Sequence, residues 1–349
     1  IYDTMQFIKP GVHMDFIGKR KIAFAFSIIM IAVSIASLVI HKGPRFGIDF
    51  AGGTLIQVKF PTPVAAADIQ AGLSTLGIAA STVQTFGERN DNEFLILTDQ
   101  SVTTGEGFAR GVAEALKTAT GVAGEIRRVE MVGPQVGQDL REKALFAMFY
   151  ALLFITIYIS GRFEMKWFLS AVVAAALIAA VYLLGLFQLS IPILIGAALV
   201  VTLILFWILQ LKYAMGAIVA LIHDVVITVG IFSLFNKEFN LSIIAALLTI
   251  IGYSLNDTII VFDRIRENLR KFHKNTLHAI INRSVNETLN RTILTSLTTL
   301  VVVAALFALG GGIIHDFAFA LLVGICVGTY SSIYVASPIL VAWQGRKRR

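Results

Sequence analysis

The chain has 349 residues, of which 56% are apolar and only 15% charged, with a mean hydropathy of +0.79. That length would suit two or three soluble domains, but the composition excludes them and describes a membrane protein with one soluble insertion. The net charge of +7 is split: residues 43–140 hold seven Lys/Arg and eleven Asp/Glu, leaving +11 elsewhere, a pattern of membrane orientation and not of nucleic-acid binding.

A short N-terminal segment, 1–21, ends in Lys19, Arg20 and Lys21. It begins at Ile1 without a methionine, so the true N-terminus is not set by the sequence. The apolar run 22–41 has no small-residue cleavage site after it and reads as a retained first transmembrane helix. Residues 42–140 read as an α+β domain. A strand is expected over Phe46–Phe60, with Gly52-Gly53 as a bulge or bend. Ala65–Leu76 has helical spacing, Thr82–Phe86 and Phe94–Thr98 are short strands, and Gly107–Ala119 is a helix with Phe108, Val112, Ala115 and Leu116 on one face. Glu125–Val132 closes a βαββαβ order, the split pattern of ferredoxin-like domains.

A transmembrane bundle follows over 141–343. Apolar runs at about 143–160, 166–187, 191–211, 213–235, 241–262, 292–310 and 317–343 bring the candidate spans to about eight. The cations flanking them, including Arg162, Lys166, Lys212, the group at 264–283 and Arg346 to Arg349 in a basic tail (344–349), fall on one side if all runs span; Lys237 is the exception. Both termini are therefore expected to be cytoplasmic and the 42–140 domain extracytoplasmic. The polar, basic segment 263–291 has apolar residues at helical intervals and predicts one or two amphipathic helices on the cytoplasmic face. The single cysteine, Cys326, allows no disulfide within the chain.

Asp257 lies inside the apolar run ending at 262, six residues and about 9 Å deeper than Asp263 at the helix end. A charge there costs roughly 2.5–3.5 kcal/mol on insertion scales, and Asp is too short to snorkel. A proton-relay or gating role and a carboxylate satisfied by helix neighbours are the two readings. Tyr253 and Ser254, four and three residues earlier, lie on or near its face as possible hydrogen-bond partners. Asn256 suits either support of this site or helix packing. Arg291 opens the run 292–310 and has an ordinary reading as an orienting cation, but Thr295, Thr298 and Thr299 continue a polar stripe from it. Its side chain is long enough to reach the depth of Asp257, where it would favour the ionised carboxylate. His223 and Asp224 sit near mid-span; adjacent residues point about 100° apart and need not touch. A structural hydrogen-bond site and a proton relay fit this pair equally.

Asp49, Gly52 and Gly53 on one side, and Gly133, Pro134 and Gly137 on the other, mark the two domain junctions and read as hinges. No phosphate loop, nucleophile motif or metal-ligand cluster stands out, so neither an enzyme nor a cofactor or metal is expected.

Three stretches together, FGIDFAGGT (46–54), VEMVGPQVGQDL (129–140) and GYSLNDTIIVFDRIREN (252–268), resemble signatures of the SecF family, and GTYSSIYVASPI (328–339) resembles its last helix. The likeness runs in order over nearly the whole chain. It implies a multi-pass subunit of the RND superfamily in the bacterial cytoplasmic (inner) membrane, forming a heterodimer with SecD beside the SecYEG channel and associated membrane subunits. The pair would use the proton motive force to promote late steps of export of a translocating polypeptide across the lipid bilayer. It carries roles in proton conduction to Asp257 and Arg291, with a second acidic residue expected from SecD. The family has six membrane helices, so 165–211 would be an extra two-helix insertion, its even number preserving the orientation downstream. Two rivals stay open: a passive scaffold of the export machinery, which would tolerate loss of Asp257, and an RND-type small-molecule exporter, usually a far longer chain with two large outer domains per repeat.

Overall fold

A computed structural model describes residues 13–78, 81–86, 91–98, 106–164, 167–185 and 191–345. Lys166 and Arg346 to Arg349, used above to orient the chain, and the first twelve residues lie outside them.

Helix α1 (Arg20–Ile40) turns a small-residue stripe, Ala23, Ser27, Ser34 and Ser37, inward and leaves its large apolar residues exposed. Small faces let helices approach closely in lipid, where packing replaces the hydrophobic effect as the driving force. Phe46–Phe60 does not form one strand. Ile48–Ala51 is a helical turn (α2), and β1 starts only at Gly53. The cause is local: Gly52 and Gly53 take φ values of +78° and +126°, open to glycine and hostile to an extended strand. Gly52-Gly53 is thus the bend of the expected bulge or bend, and a register shift lies further on, between Gln57 and Val58 against the last strand.

Beyond β1 (Gly53–Lys59) come α3 (Ala66–Ser74), β2 (Ser81–Phe86), β3 (Glu93–Thr98), α4 (Glu106–Thr120) and β4 (Glu125–Val132). The sheet is antiparallel throughout, in the order β2-β3-β1-β4. Alternation buries Ile56 and Val58 of β1 and Phe94 and Ile96 of β3 against Ile69, Leu73, Val112 and Leu116 of the two helices.

The bundle consists of α5 (Pro134–Glu164), α6 (Trp167–Gly185), α7 (Ile191–Ile208), α8 (Lys212–Leu234), α9 (Leu241–Lys271), α10 (Leu277–Leu309), α11 (Gly312–Ser331), a π-helical turn at Ser332–Ala336 and α12 (Ser337–Gly345). Among the described residues six helical segments are long and apolar enough to cross a membrane: α1, α5, α8, α9, α10 and the run 314–343 through α11 and α12. The apolar helices α6 and α7 pack on each other and against α5 and α8, so the expected eight counts six full spans plus this hairpin.

The segment 263–291 is not a pair of separate amphipathic helices. Helix α9 runs unbroken to Lys271, and α10 starts at Leu277, capped by the Thr276 hydroxyl accepting from Ala279 N–H at 3.3 Å. Ion pairs hold these polar extensions together. Glu287 accepts from Arg264 (2.6 Å), Asn268 (2.7 Å) and Arg283 (2.8 Å). Burial pushes its carboxyl up, but these three donors outweigh that and hold it at about 2, against an ordinary 4.5. A depressed folded-state pKa stabilises the fold above the unfolded value, and that contribution is lost as pH falls from about 4.5 through about 2. The protection factors of the amides at 264–287, corrected for the intrinsic pH dependence of exchange, should therefore fall over that acid window, and Glu287→Gln should remove the dependence.

Below this hairpin the chain near the N-terminus is strapped to α10. Asn282 accepts from Phe16 N–H (2.9 Å), Asn286 accepts from Met14 N–H (2.8 Å), both side-chain amides donate to Met14 O, and Ile17 is fully buried.

Candidate functional site

Two buried carboxylates lie in the bundle, and α11 touches the surroundings of both. Asp224, on α8, is 1% exposed. Its Oδ2 accepts from Ser254 Oγ of α9 at 2.6 Å and from Ser331 Oγ of α11 at 2.8 Å, while its Oδ1 lies 2.9 Å from His223 Nδ1. The adjacent pair therefore does touch, the imidazole folding back along α8. His223 Nε2 lies 3.1 Å from Ser27 Oγ of α1, which is 3.1 Å from Tyr330 Oη; Tyr330 donates to Ala23 O at 2.7 Å. Hydrogen counting orders this chain. Tyr330 spends its one proton on a carbonyl, so the Ser27 hydroxyl completes the Tyr330 contact, and a single hydrogen bond joins Asp224 Oδ1 to His223 Nδ1.

Asp257 is equally buried, at 1% exposure, but poorly supplied. Its one side-chain hydrogen bond among the described residues is from Ser296 Oγ of α10, at a long 3.5 Å. Ser296 also meets Thr329 Oγ1 of α11 at 2.7 Å, and Thr329 donates its proton to Ile325 O, so Ser296 has one hydrogen for two acceptors. Asp263, one and a half turns further along α9, is ordinary by comparison: it is half-exposed and paired with Arg162 at 2.5 Å.

The expected partners of Asp257 are placed differently. Ser254 donates to Asp224, not to Asp257. The Tyr253 hydroxyl is buried with no hydrogen-bond partner among the described residues. Asn256 and Gly252 are exposed, about 100° and about 140° around α9 from Asp257. Arg291 is exposed at the start of the apolar part of α10, and Thr295 Oγ1 bonds back to its carbonyl at 3.0 Å. An electrostatic interaction links Arg291 to Asp257, without a direct ion pair. Gly252 and Asn256 on α9 and Arg291 and Thr298 on α10 are exposed, and the Tyr253 hydroxyl and Thr292 Oγ1 are buried without a hydrogen-bond partner among the described residues.

Helix α11 joins the two carboxylates. Gly328 lies against Ser254, where a Cβ would come within 2.9 Å of the serine Cβ; Thr329 reaches Ser296, and Ser331 reaches Asp224. The π-helical turn 332–336 follows at once, a local widening that is common where helices carry function.

At the domain junctions, Asp49 Oδ2 accepts from Leu241 N–H at 3.0 Å, tying α2 to the start of α9. Gly52 packs against Pro134, where a Cβ would sit 2.8 Å from the proline Cα, and Gly137 is similarly tight against Phe50 O and Gly52 N. The two junctions are one packed unit; Gly133 is open and Gly53 supplies the second left-handed turn. Sequence reasoning missed Ser27, Ser296, Thr329, Tyr330 and Ser331. Their signal was available as hydroxyls on otherwise apolar helices, including the GTYSS run.

The family described as "Protein export membrane protein SecD/SecF, C-terminal" matches residues 112–194 and 185–346, and "SecD/SecF GG Motif" matches 37–64. A protein translocase subunit SecF from Magnetococcus marinus is 44% identical over 349 residues, covering 99% of this chain and 96% of the relative. One from Vibrio alginolyticus is 42% identical, covering 96% and 91%. The crystal structure of SecDF, a translocon-associated membrane protein from Thermus thermophilus, superposes with a TM-score of 0.74 at 31% identity. It matches 96% of this chain, which spans 39% of that longer one.

Proposed function

The chain belongs to the SecF family of protein translocase subunits, and on that premise we propose that it assists protein export by coupling proton movement at Asp257 to motion of the βαββαβ domain. The observation that carries this reading is the contrast between the two carboxylates. Asp224 has three hydrogen-bond partners and stands as a satisfied structural site. Asp257 has one shared, long donor. A desolvated carboxylate without donors is costly as an anion, and a proton removes that cost. Arg291 offers the opposite charge nearby, so its approach or withdrawal would bias the state of Asp257. Thr329 and Ser331 let α11 sense either site and pass a shift to its π-helical turn.

The exposed polar residues Asn256 of α9 and Arg291 and Thr298 of α10 support a partner helix within the membrane, because exposed polar groups there are costly in lipid. A SecD subunit bearing an acidic residue opposite Arg291 fits that chemistry. The +11 charge outside the domain supports cytoplasmic termini in the inner membrane, with the domain outside, toward the emerging polypeptide and beside the SecYEG channel. No step in this reading is enzymatic.

Asp257→Asn, as the cell's sole copy, is expected to abolish the proton-driven stimulation of export of a secreted reporter, with normal abundance and normal co-purification of SecD. The amide keeps size and acceptor but does not titrate. Normal export in that strain would remove the relay and leave a scaffold.

A further inference from the structure

We propose that the bundle holds a phospholipid with a zwitterionic, primary-ammonium headgroup in a cavity at its domain end. The cavity, of about 660 Å³, lies between α2 and its approach, α5, α8 and α9. Its walls are apolar: Phe46 and Phe50 from the approach to β1, Leu145 and Met148 of α5, Val229 of α8 and Leu247 of α9. Its rim is polar and comes from the first turns of α5, as Gln138, Arg141 and Glu142.

Depth favours an acyl chain. Arg141 and Met148 are seven residues apart, about 10 Å along the helix, which is much of the roughly 15 Å half-thickness of a hydrocarbon core. Volume opposes a helix, since two turns about 10 Å wide would displace more than about 800 Å³. The rim supplies one free charge of each sign. Arg141 lies 5.3 Å from the Phe46 ring centre and forms no ion pair among the described residues. Glu142 accepts only from Gln138, at 3.2 Å, with no cation partner there. The neighbouring Asp139 and Lys143 satisfy each other at 2.7 Å. A headgroup phosphate on Arg141 and an ammonium on Glu142 would complete both charges, whereas a purely anionic headgroup would leave Glu142 facing a like charge.

Phe46 and Phe50 belong to the segment that matches the GG motif, so the lipid would seat directly under the domain junction. This inference is independent of the proton reading; it needs only that the bundle sits in a bilayer.

The test is native mass spectrometry of the delipidated full-length chain, titrated with phosphatidylethanolamine, phosphatidylglycerol and diacylglycerol of identical acyl chains. One phosphatidylethanolamine per chain should bind, with half-saturation about tenfold below that of diacylglycerol. Arg141→Gln, a rim change that leaves the core intact, should erase that difference, and Leu145→Trp should fill the cavity and lower binding of all three. Equal binding of the three lipids, tighter phosphatidylglycerol binding, or unchanged binding in both variants would each overturn the proposal. So would loss of the bound lipid when a SecD partner is present, which would give the cavity to the partner.

Discussion

Asp224→Ala is expected to destabilise the purified chain by about 3–5 kcal/mol, the usual range for removing one partner of a buried pair. The substitution strands more than a carboxylate. Ser254 and Ser331 lose their acceptor, and His223 Nδ1 loses its hydrogen-bond partner. Three helices, α8, α9 and α11, are joined by those contacts, so the loss should appear as a lowered thermal midpoint of the whole bundle. Asp224→Asn separates structure from charge. Its amide oxygen still accepts from the two serines, so it should recover most of the midpoint, leaving a deficit of about 1–2 kcal/mol. If Asp224→Ala melted like the wild type, the cluster would not be a structural centre. If Asp224→Asn were stable yet inactive in export, the relay role would extend to Asp224 and His223.

Gly230→Val should be the most damaging single change at a helix contact. A Cβ at Gly230 would lie 2.1 Å from Ser34 Cβ and 2.5 Å from Ser34 Cα. Backbone is in the way, so no rotamer relieves the clash, and α1 must move off α8. The expected cost is at least about 3 kcal/mol, the upper end for overpacking. It should also break the distant contact of Ser27 with His223, because both serines ride on the same rigid helix. Cysteine cross-linking between positions 34 and 230, paired with a thermal scan, reads both effects. An unchanged midpoint in Gly230→Val would mean that α1 packs elsewhere in the membrane.

Much of this chain could be read in advance because lipid constrains sequence strongly. Every spanning helix must satisfy its own backbone, so apolar length and flanking charge mark it without reference to neighbours. The βαββαβ order was similarly legible, since strand alternation and helix spacing are local. The failures had one local cause and one tertiary cause. Gly52 and Gly53 broke the expected strand through their backbone angles. The basic segment at 263–291 read as one or two amphipathic helices; that its two parts continue α9 and α10 was not legible, because composition does not reveal that Glu287 pins α10 to α9 through Arg264 and Asn268.

The carboxylates divide the same way. That Asp224 and Asp257 sit in apolar helices followed from the residue order alone, because a short carboxylate far from a helix end has no route to water. Which of them is satisfied did not follow. Ser254 is three residues from Asp257 but donates to Asp224, and the other serine donors arrive from α10 and α11, at sequence separations of 39 and 107 residues. Hydrogen-bond supply in a membrane core is set by which helices pack together and by how they are rotated. One chain position carries no information on that, and only the assembled bundle decides it.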